Sequence, residues 1–146
     1  MNRIVQTVCV LALSAAPLGC ETQIERLVLE APTRVAGIQV VCAGAPLDAG
    51  QDPRWADYPL RAEIVGPSGV YPGPGEFHVE TAAGADVLAV RCPGPWALFK
   101  LAPGAYLVKA KLETGDEARQ IATAPNGTQA HAILQIAAPT ATAALE

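Results

Sequence analysis

Apolar and polar residues alternate along several short stretches of this chain, and such alternation predicts half-buried β-strands. The stretches with the most regular alternation are residues 60–65, 76–81, 105–112 and 128–137. In residues 60–65 the apolar side chains fall on one face, and those of Arg61 and Glu63 fall on the other. We therefore expect these two charged side chains to face solvent.

Four further stretches between turn sequences are predicted as strands without strict alternation: residues 34–42, 86–92, 96–101 and 117–124. Sequences rich in Gly, Pro or Asn separate the stretches at intervals of about eight to twelve residues, as in all-β proteins. This spacing predicts an antiparallel β-sandwich of about seven to eight strands over residues 34–137. Within it we expect one short helical turn at residues 53–57, because Asp52 can cap it and Pro53 suits its first position.

The composition agrees with a β protein rich in loops. The chain has 146 residues, of which 13 are Gly, 13 are Pro and only 16% are charged. The formal net charge is −4, and the ten Lys and Arg residues are scattered along the chain. Because a phosphate-binding surface needs clustered basic residues, we exclude nucleic acid as a partner.

The first 19 residues have the layout of a secretory signal peptide. Arg3 precedes an apolar run over residues 4–13, which is too short to span a membrane, and small residues follow. Gly19-Cys20 resembles the end of a bacterial lipoprotein signal, in which the cysteine receives lipid, although Pro17 stands where that pattern has Leu. The alternatives are ordinary cleavage nearby and, less favoured, a buried helix. We assign residues 20–33 to a tether and residues 138–146 to a flexible tail.

The cysteine count bears on the same question. Cys9 leaves with the signal, so Cys20, Cys42 and Cys92 remain. If Cys20 carries lipid, Cys42 and Cys92 are left to form a disulfide, which suits the periplasm or cell envelope. The alternative is a pair of buried free thiols.

Residues 93–112 resemble the signature of carboxypeptidase regulatory-like, or transthyretin-like (prealbumin-like), domains. The resemblance covers residues 58–137 and is greatest to small, stand-alone exported bacterial proteins of that group. The matching positions are Leu101, Pro103, Gly104, Tyr106 and Val108, preceded by Gly94-Pro95-Trp96 and, partly, by Ser68-Gly69-Val70-Tyr71. The resemblance implies a seven-stranded sandwich without enzymatic activity.

The residues themselves offer little for catalysis or metal binding. His78 and His131 are the only histidines, both on faces expected to be outward, and no metal-ligand spacing supports them. The chain contains no Gly-x-Ser-x-Gly nucleophile motif, and it lacks the Tyr-Arg-Gly-Ser ending of transthyretin-like hydrolases. We therefore expect no enzyme activity, no cofactor and no bound metal.

One loop is a candidate for recognition. Arg54, Trp55, Asp57 and Tyr58 place two aromatic rings beside two charges, a combination able to stack on a sugar or hold a peptide. The alternative, which we favour, is a packing role in which Trp55 closes an open end of the sandwich.

These observations predict an exported, non-catalytic module, lipid-anchored at Cys20, that has a structural role or binds an envelope protein or glycan. The alternative is a carrier of a small ligand or metal that uses a pocket around Trp55.

Overall fold

The computed structural model describes residues 23–44, 53–71 and 73–136, and in it the chain folds as a β-sandwich of two sheets. The predicted signal at residues 1–19, the lipidation site at Cys20 and the predicted tail at residues 138–146 lie outside the described residues. In chain order the strands are β1 (Ile24–Arg26), β2 (Thr33–Val35), β3 (Ile38–Ala43), β4 (Leu60–Gly66), β5 (Gly69–Val70), β6 (Gly75–Thr81), β7 (Asp86–Cys92), β8 (Trp96–Phe99), β9 (Gly104–Leu112), β10 (Glu117–Ala124) and β11 (Ala130–Gln135).

The strands divide between two sheets. Sheet 1 has the order β1-β7-β6-β9-β10, and sheet 2 has the order β11-β4-β8-β3-β2, with the two-residue β5 beside β4. The predicted all-β sandwich is confirmed. Both sheets are mixed, however, because β1 runs parallel to β7 and β11 runs parallel to β4. The parallel pairs join distant parts of the chain, and their direction cannot be read from alternation within a strand.

The stretch predicted as a single strand over residues 34–42 is a hairpin instead. β2 and β3 pair in antiparallel fashion across Ala36 and Gly37, whose φ angles are 50° and 79°. Two consecutive positive φ angles are what a two-residue type I′ hairpin turn requires. Ala-Gly lacks the Asn-Gly or Asp-Gly signature of such turns, so the sequence pattern concealed this one.

The predicted tether at residues 20–33 belongs partly to the folded domain. β1 forms an edge of sheet 1, and Leu27, only 6% exposed, joins the core. The amide of Leu27 donates to the carbonyl of Arg91 at 3.0 Å. The domain therefore begins by Ile24 rather than at Arg34.

The core fills the space between the sheets with large apolar side chains. Phe77 from sheet 1 and Phe99 from sheet 2 meet edge to face, with ring centroids 6.5 Å apart. Phe99 and Leu134 are fully buried. Tyr106 is half-buried, and its hydroxyl donates to the carbonyl of Ala102 at 2.7 Å. This bond ties β9 to the turn that precedes it.

The predicted disulfide between Cys42 and Cys92 is confirmed. Cys42 lies on β3 in sheet 2 and Cys92 on β7 in sheet 1, so the bridge links the two layers across the core. Both residues are fully buried. A bridge in this position braces the sandwich and is shielded from external thiols.

Candidate functional site

The most elaborate group of side chains lies on the outer face of sheet 2. There the segment that enters β4, which begins with a 3-10 turn at Pro53–Trp55, packs down onto the sheet. Six buried residues form this second hydrophobic cluster, here called the aromatic cap: Val41, Ala43, Trp55, Tyr58, Trp96 and Leu98.

The aromatic cap exists because β3 and β8 are apolar on both faces. Register places Val41 beside Leu98 and Ala43 beside Trp96, all directed away from the main core. Trp55 covers this surface with its ring 6.1 Å from that of Tyr58, in an edge-to-face arrangement. An apolar face of this kind is stable only when another segment covers it.

The four residues predicted as a ligand-binding loop divide into two buried rings and two surface charges. Trp55 is 7% exposed and Tyr58 is 2% exposed, so both rings are buried in packing contacts. The Arg54 guanidinium carbon lies 4.7 Å from the centroid of the Trp55 ring, and Arg54 also pairs with Glu30 at 3.3 Å. Asp57 is exposed. This placement favours the packing interpretation of Trp55.

The expectation that Arg61 and Glu63 face solvent is wrong. They are 7% and 8% exposed, with Arg61 Nη2 2.6 Å from Glu63 Oε1. The Arg61 guanidinium carbon also lies 4.2 Å above the Trp96 ring. The outward face of β4 is buried because the cap residues and β11 surround it. A signal for this burial was available in residues 96–99 (WALF), since an unbroken apolar run is typical of a strand covered on both faces.

A chain of hydrogen bonds connects the buried ion pair to the backbone of the cap. Arg61 Nη2 lies 3.1 Å from His131 Nδ1, and His131 Nε2 lies 3.2 Å from Gln129 Oε1. Gln129 Nε2 donates to the carbonyl oxygens of Trp55 at 2.8 Å and of Tyr58 at 3.0 Å. We call Gln129, His131, Arg61 and Glu63 the polar chain. Sequence reasoning missed it because its members are distant in sequence and meet only through the parallel pairing of β11 with β4.

The polar chain fixes the protonation of His131. Because a guanidinium can only donate, His131 Nδ1 must accept, and the proton of the neutral ring lies on Nε2 toward Gln129. Burial lowers the pKa of His131 from its ordinary 6.5, the Arg61 charge lowers it further, and the Glu63 charge opposes both. Burial also raises the pKa of Tyr58, against a hydrogen bond from Gln39. The arrangement therefore holds both groups uncharged at neutral pH.

We expect Gln129→Ala to lower the free energy of unfolding by about 1–2 kcal/mol, because the carbonyls of Trp55 and Tyr58 lose their shared donor. Gln135→Ala is the matched control, since Gln135 is exposed at the far end of β11, the strand that Gln129 precedes, and it should change the value by less than about 0.5 kcal/mol. Urea unfolding followed by tryptophan fluorescence measures both. Equal effects would show that Gln129 does not hold the cap.

The lowered pKa of His131 makes stability depend on pH. The unfolded chain takes up the His131 proton near pH 6.5 and the folded chain only at lower pH. The contribution of neutral His131 to the free energy of unfolding is therefore fully present above pH 6.5 and declines as the pH falls toward the lowered pKa of the folded state. His131→Asn should flatten this decline, whereas His78→Asn, on the other sheet, should leave it in place. Urea midpoints between pH 7.5 and 5 test this, and identical slopes in wild type and His131→Asn would contradict it.

Sheet 1 carries a charged cleft of about 310 Å³. It is lined by Gly75, Glu76, Arg91, Lys111, Leu112 and Glu113. Arg91 pairs with Glu113 and lies 3.7 Å from Glu76, so its charge is already balanced by the cleft's own carboxylates. The volume is at the lower limit for small-molecule sites.

Metal-ligating residues are dispersed in the part of the chain that the structure describes. No group of three or more His, Cys, Asp and Glu there could hold a metal ion. His78 lies 3.5 Å from Glu76 on the outer face of sheet 1. Over residues 23–44, 53–71 and 73–136 there is also no helix long and apolar enough to cross a membrane.

No protein-family model, curated protein or solved structure matches this chain. A function is therefore inferred from its own residues.

Proposed function

We propose that this chain is an exported β-sandwich module, anchored to a bacterial membrane through lipid on Cys20, that binds an envelope protein or glycan and performs no catalysis. The observation that carries the proposal is the buried Cys42–Cys92 disulfide between the two sheets. Structural disulfides persist in oxidising compartments and are rare in the cytosol of mesophiles. The bridge therefore supports export, as the layout of residues 1–19 does.

The bridge also bears on Cys20. With Cys42 and Cys92 paired, removal of Cys9 with the predicted signal would leave Cys20 no other cysteine of the sequence to pair with. An unpaired thiol is a liability in an oxidising compartment. Acylation removes that liability and agrees with the lipoprotein-like Gly19-Cys20 junction.

The absence of catalysis is supported by how the titratable side chains are used. Both ring nitrogens of His131 are engaged in the polar chain, and the Glu63 carboxylate is 8% exposed against Arg61. The positions of the transthyretin-like resemblance have packing roles: Leu101 and Val108 are buried, and Tyr106 bonds to the Ala102 carbonyl. Such a use of residues fits a non-catalytic domain of the carboxypeptidase regulatory-like kind.

Binding of a protein is supported by the edge of sheet 1. β10 has eight residues and, within the described part of the chain, forms ladder hydrogen bonds with β9 on one side, while β11 of sheet 2 lies close to its other side. Its Ile121 side chain is 71% exposed. Backbone groups of an edge strand that are not bonded within the sheet can be offered to an added strand, which is a recurrent mode of peptide recognition.

A small-ligand carrier is the second candidate, and the charged cleft is the observation that favours it. Its site would be the cleft beside Arg91 rather than a pocket around the buried Trp55.

Fractionation of bacteria that export the full chain tests the proposed anchor. Wild type should sediment with membranes, and Cys20→Ser should become soluble in the exported fraction. Cys9→Ser is the control, because Cys9 lies inside the predicted signal and should behave as wild type. Wild type in the soluble exported fraction, or Cys20→Ser still on membranes, would refute anchoring through Cys20.

Photo-crosslinking in intact cells tests the proposed mode of binding. Ile121→p-benzoylphenylalanine should form an adduct with one envelope protein or glycan. Asp57→p-benzoylphenylalanine, exposed on the outer face of sheet 2, is the control and should not. Equal labelling at both positions would contradict binding at the β10 edge.

A further inference from the structure

Exposed apolar side chains are concentrated at the start of the folded domain. Of the five large hydrophobic residues that are exposed in the described part of the chain, three lie between residues 24 and 29: Ile24 at 42%, Val28 at 66% and Leu29 at 44%. We call these three residues the N-terminal patch. The other two exposed residues lie singly on other strands, whereas the patch is clustered within six residues.

The local structure explains why these side chains point outward. Ile24 and Arg26 of β1, and Val28 just after it, are exposed and alternate with Leu27, which is buried in the core. Leu29 is also exposed and lies where the chain reaches Cys42 of sheet 2. The amide of Leu27 is bonded to Arg91, and that of Glu30 to Cys42 at 2.8 Å, so the segment is held to both sheets. The patch is therefore presented by ordered backbone at the β1 side of the sandwich.

The distance to the proposed lipid anchor is short. Ile24 lies four residues after Cys20, and four extended residues span at most about 14 Å. If Cys20 carries lipid at the membrane interface, the start of β1 stays within that distance of the headgroups. An anchor this short prevents the domain from moving away from the bilayer.

We infer that the N-terminal patch lies against the bilayer that holds the Cys20 anchor, so that the sandwich has a fixed orientation on the membrane. This inference rests on the anchor in the proposed function and adds a protein surface to it. The free energy falls when apolar side chains leave water for the interfacial region of a bilayer. Arg26, exposed between Ile24 and Val28, is placed to reach the lipid phosphates.

This orientation has a consequence for the rest of the molecule. β1 and β10 are opposite edges of sheet 1, separated by four strand spacings, or about 19 Å. Ile121 points to the same outer face of sheet 1 as Ile24, but it lies at the opposite edge. With β1 on the membrane, β10 is the edge of sheet 1 farther from it, so the surface proposed to bind a partner is reached from the aqueous side.

Site-specific photo-crosslinking of the full exported chain in native membranes tests the inference. Val28→p-benzoylphenylalanine should give a lipid adduct, detected by mass spectrometry. Ile121→p-benzoylphenylalanine is the matched control, because Ile121 is also β-branched and equally exposed but lies on the far edge. The Val28 variant should form several-fold more lipid adduct than the Ile121 variant.

The intact mass of the same samples distinguishes a failure of the proposed orientation from a failure of the proposed Cys20 anchor. Lipid on Cys20 together with equal lipid adducts at both positions, or none at Val28, would overturn the orientation and leave the anchor standing. A Val28 adduct with a second copy of the chain, at twice the chain mass, would make the patch a dimer contact and also overturn it. Unlipidated Cys20 would refute the anchor and the orientation together.

Discussion

Removing the Cys42–Cys92 disulfide should lower the free energy of unfolding by about 4 kcal/mol. The bridge closes a loop with a sequence separation of 50 residues, so without it the unfolded chain gains a large amount of conformational entropy. Whole domains are stable by only about 5–15 kcal/mol, so the loss should move the midpoint of thermal unfolding far down. The variant is Cys42→Ala/Cys92→Ala, measured by urea unfolding in membrane-mimetic detergent.

The reduced wild-type protein is the control for the alanine substitutions. It keeps both sulfur atoms in the core and lacks only the covalent link. Its free energy of unfolding should therefore fall by most of the amount expected for Cys42→Ala/Cys92→Ala. A loss below about 1 kcal/mol in both samples would show that the bridge does not brace the sandwich.

Glu63→Gln should cost about 3 kcal/mol, because it leaves the Arg61 guanidinium buried without its counter-charge. Arg61 and Glu63 are 2.6 Å apart and each less than a tenth exposed. Glu117→Gln is the matched control. Its partner Lys111 is 4.0 Å away and both side chains are more than half exposed, so the change should be under about 1 kcal/mol.

A double variant separates the value of the pair from the penalty of breaking it. Arg61→Met/Glu63→Leu removes both charges and keeps apolar volume beside Trp96, so it should recover most of the stability that Glu63→Gln loses. If Glu63→Gln and Glu117→Gln have equal effects, the buried pair does not matter to stability. If the double variant is less stable than Glu63→Gln, the pair is a net stabilising contact.

The parts of the fold that were predictable are those encoded locally. Strict alternation identified the strands at residues 60–65 and 105–112, and Pro and Gly marked their ends. The disulfide followed from counting cysteines in a chain with a predicted export signal. Each inference used residues that are neighbours in sequence or a property of the whole chain.

The missed features depend on contacts between distant segments. Alternation placed Arg61 and Glu63 on the outward face correctly, but burial of that face depends on the cap segment around Trp55 and on β11. The polar chain requires His131 opposite Arg61, a register set by a parallel pair about seventy residues apart. At Ala36-Gly37 the turn was missed for a local reason, because alanine is a rare residue at positive φ.

The interpretation of the candidate site also depended on contacts between distant segments. From the sequence, Trp55 and Tyr58 were two aromatic rings in a loop, for which ligand binding was a candidate role and packing of Trp55 was the favoured alternative. The apolar outer face of β3 and β8 gives the rings a surface to cover, and the prediction of a single strand over residues 34–42 did not reveal that face. The lipidation of Cys20 remains a prediction, since that residue lies outside the described part of the chain.

The most direct test of the account is the intact mass of the wild-type chain purified from the membrane fraction, before and after reduction. We expect a polypeptide that begins at Cys20, carries diacylglyceryl on that residue, and gains the mass of two hydrogen atoms on reduction. A polypeptide without lipid that begins at another residue, or one whose mass does not change on reduction, would contradict an exported, disulfide-braced and lipid-anchored sandwich.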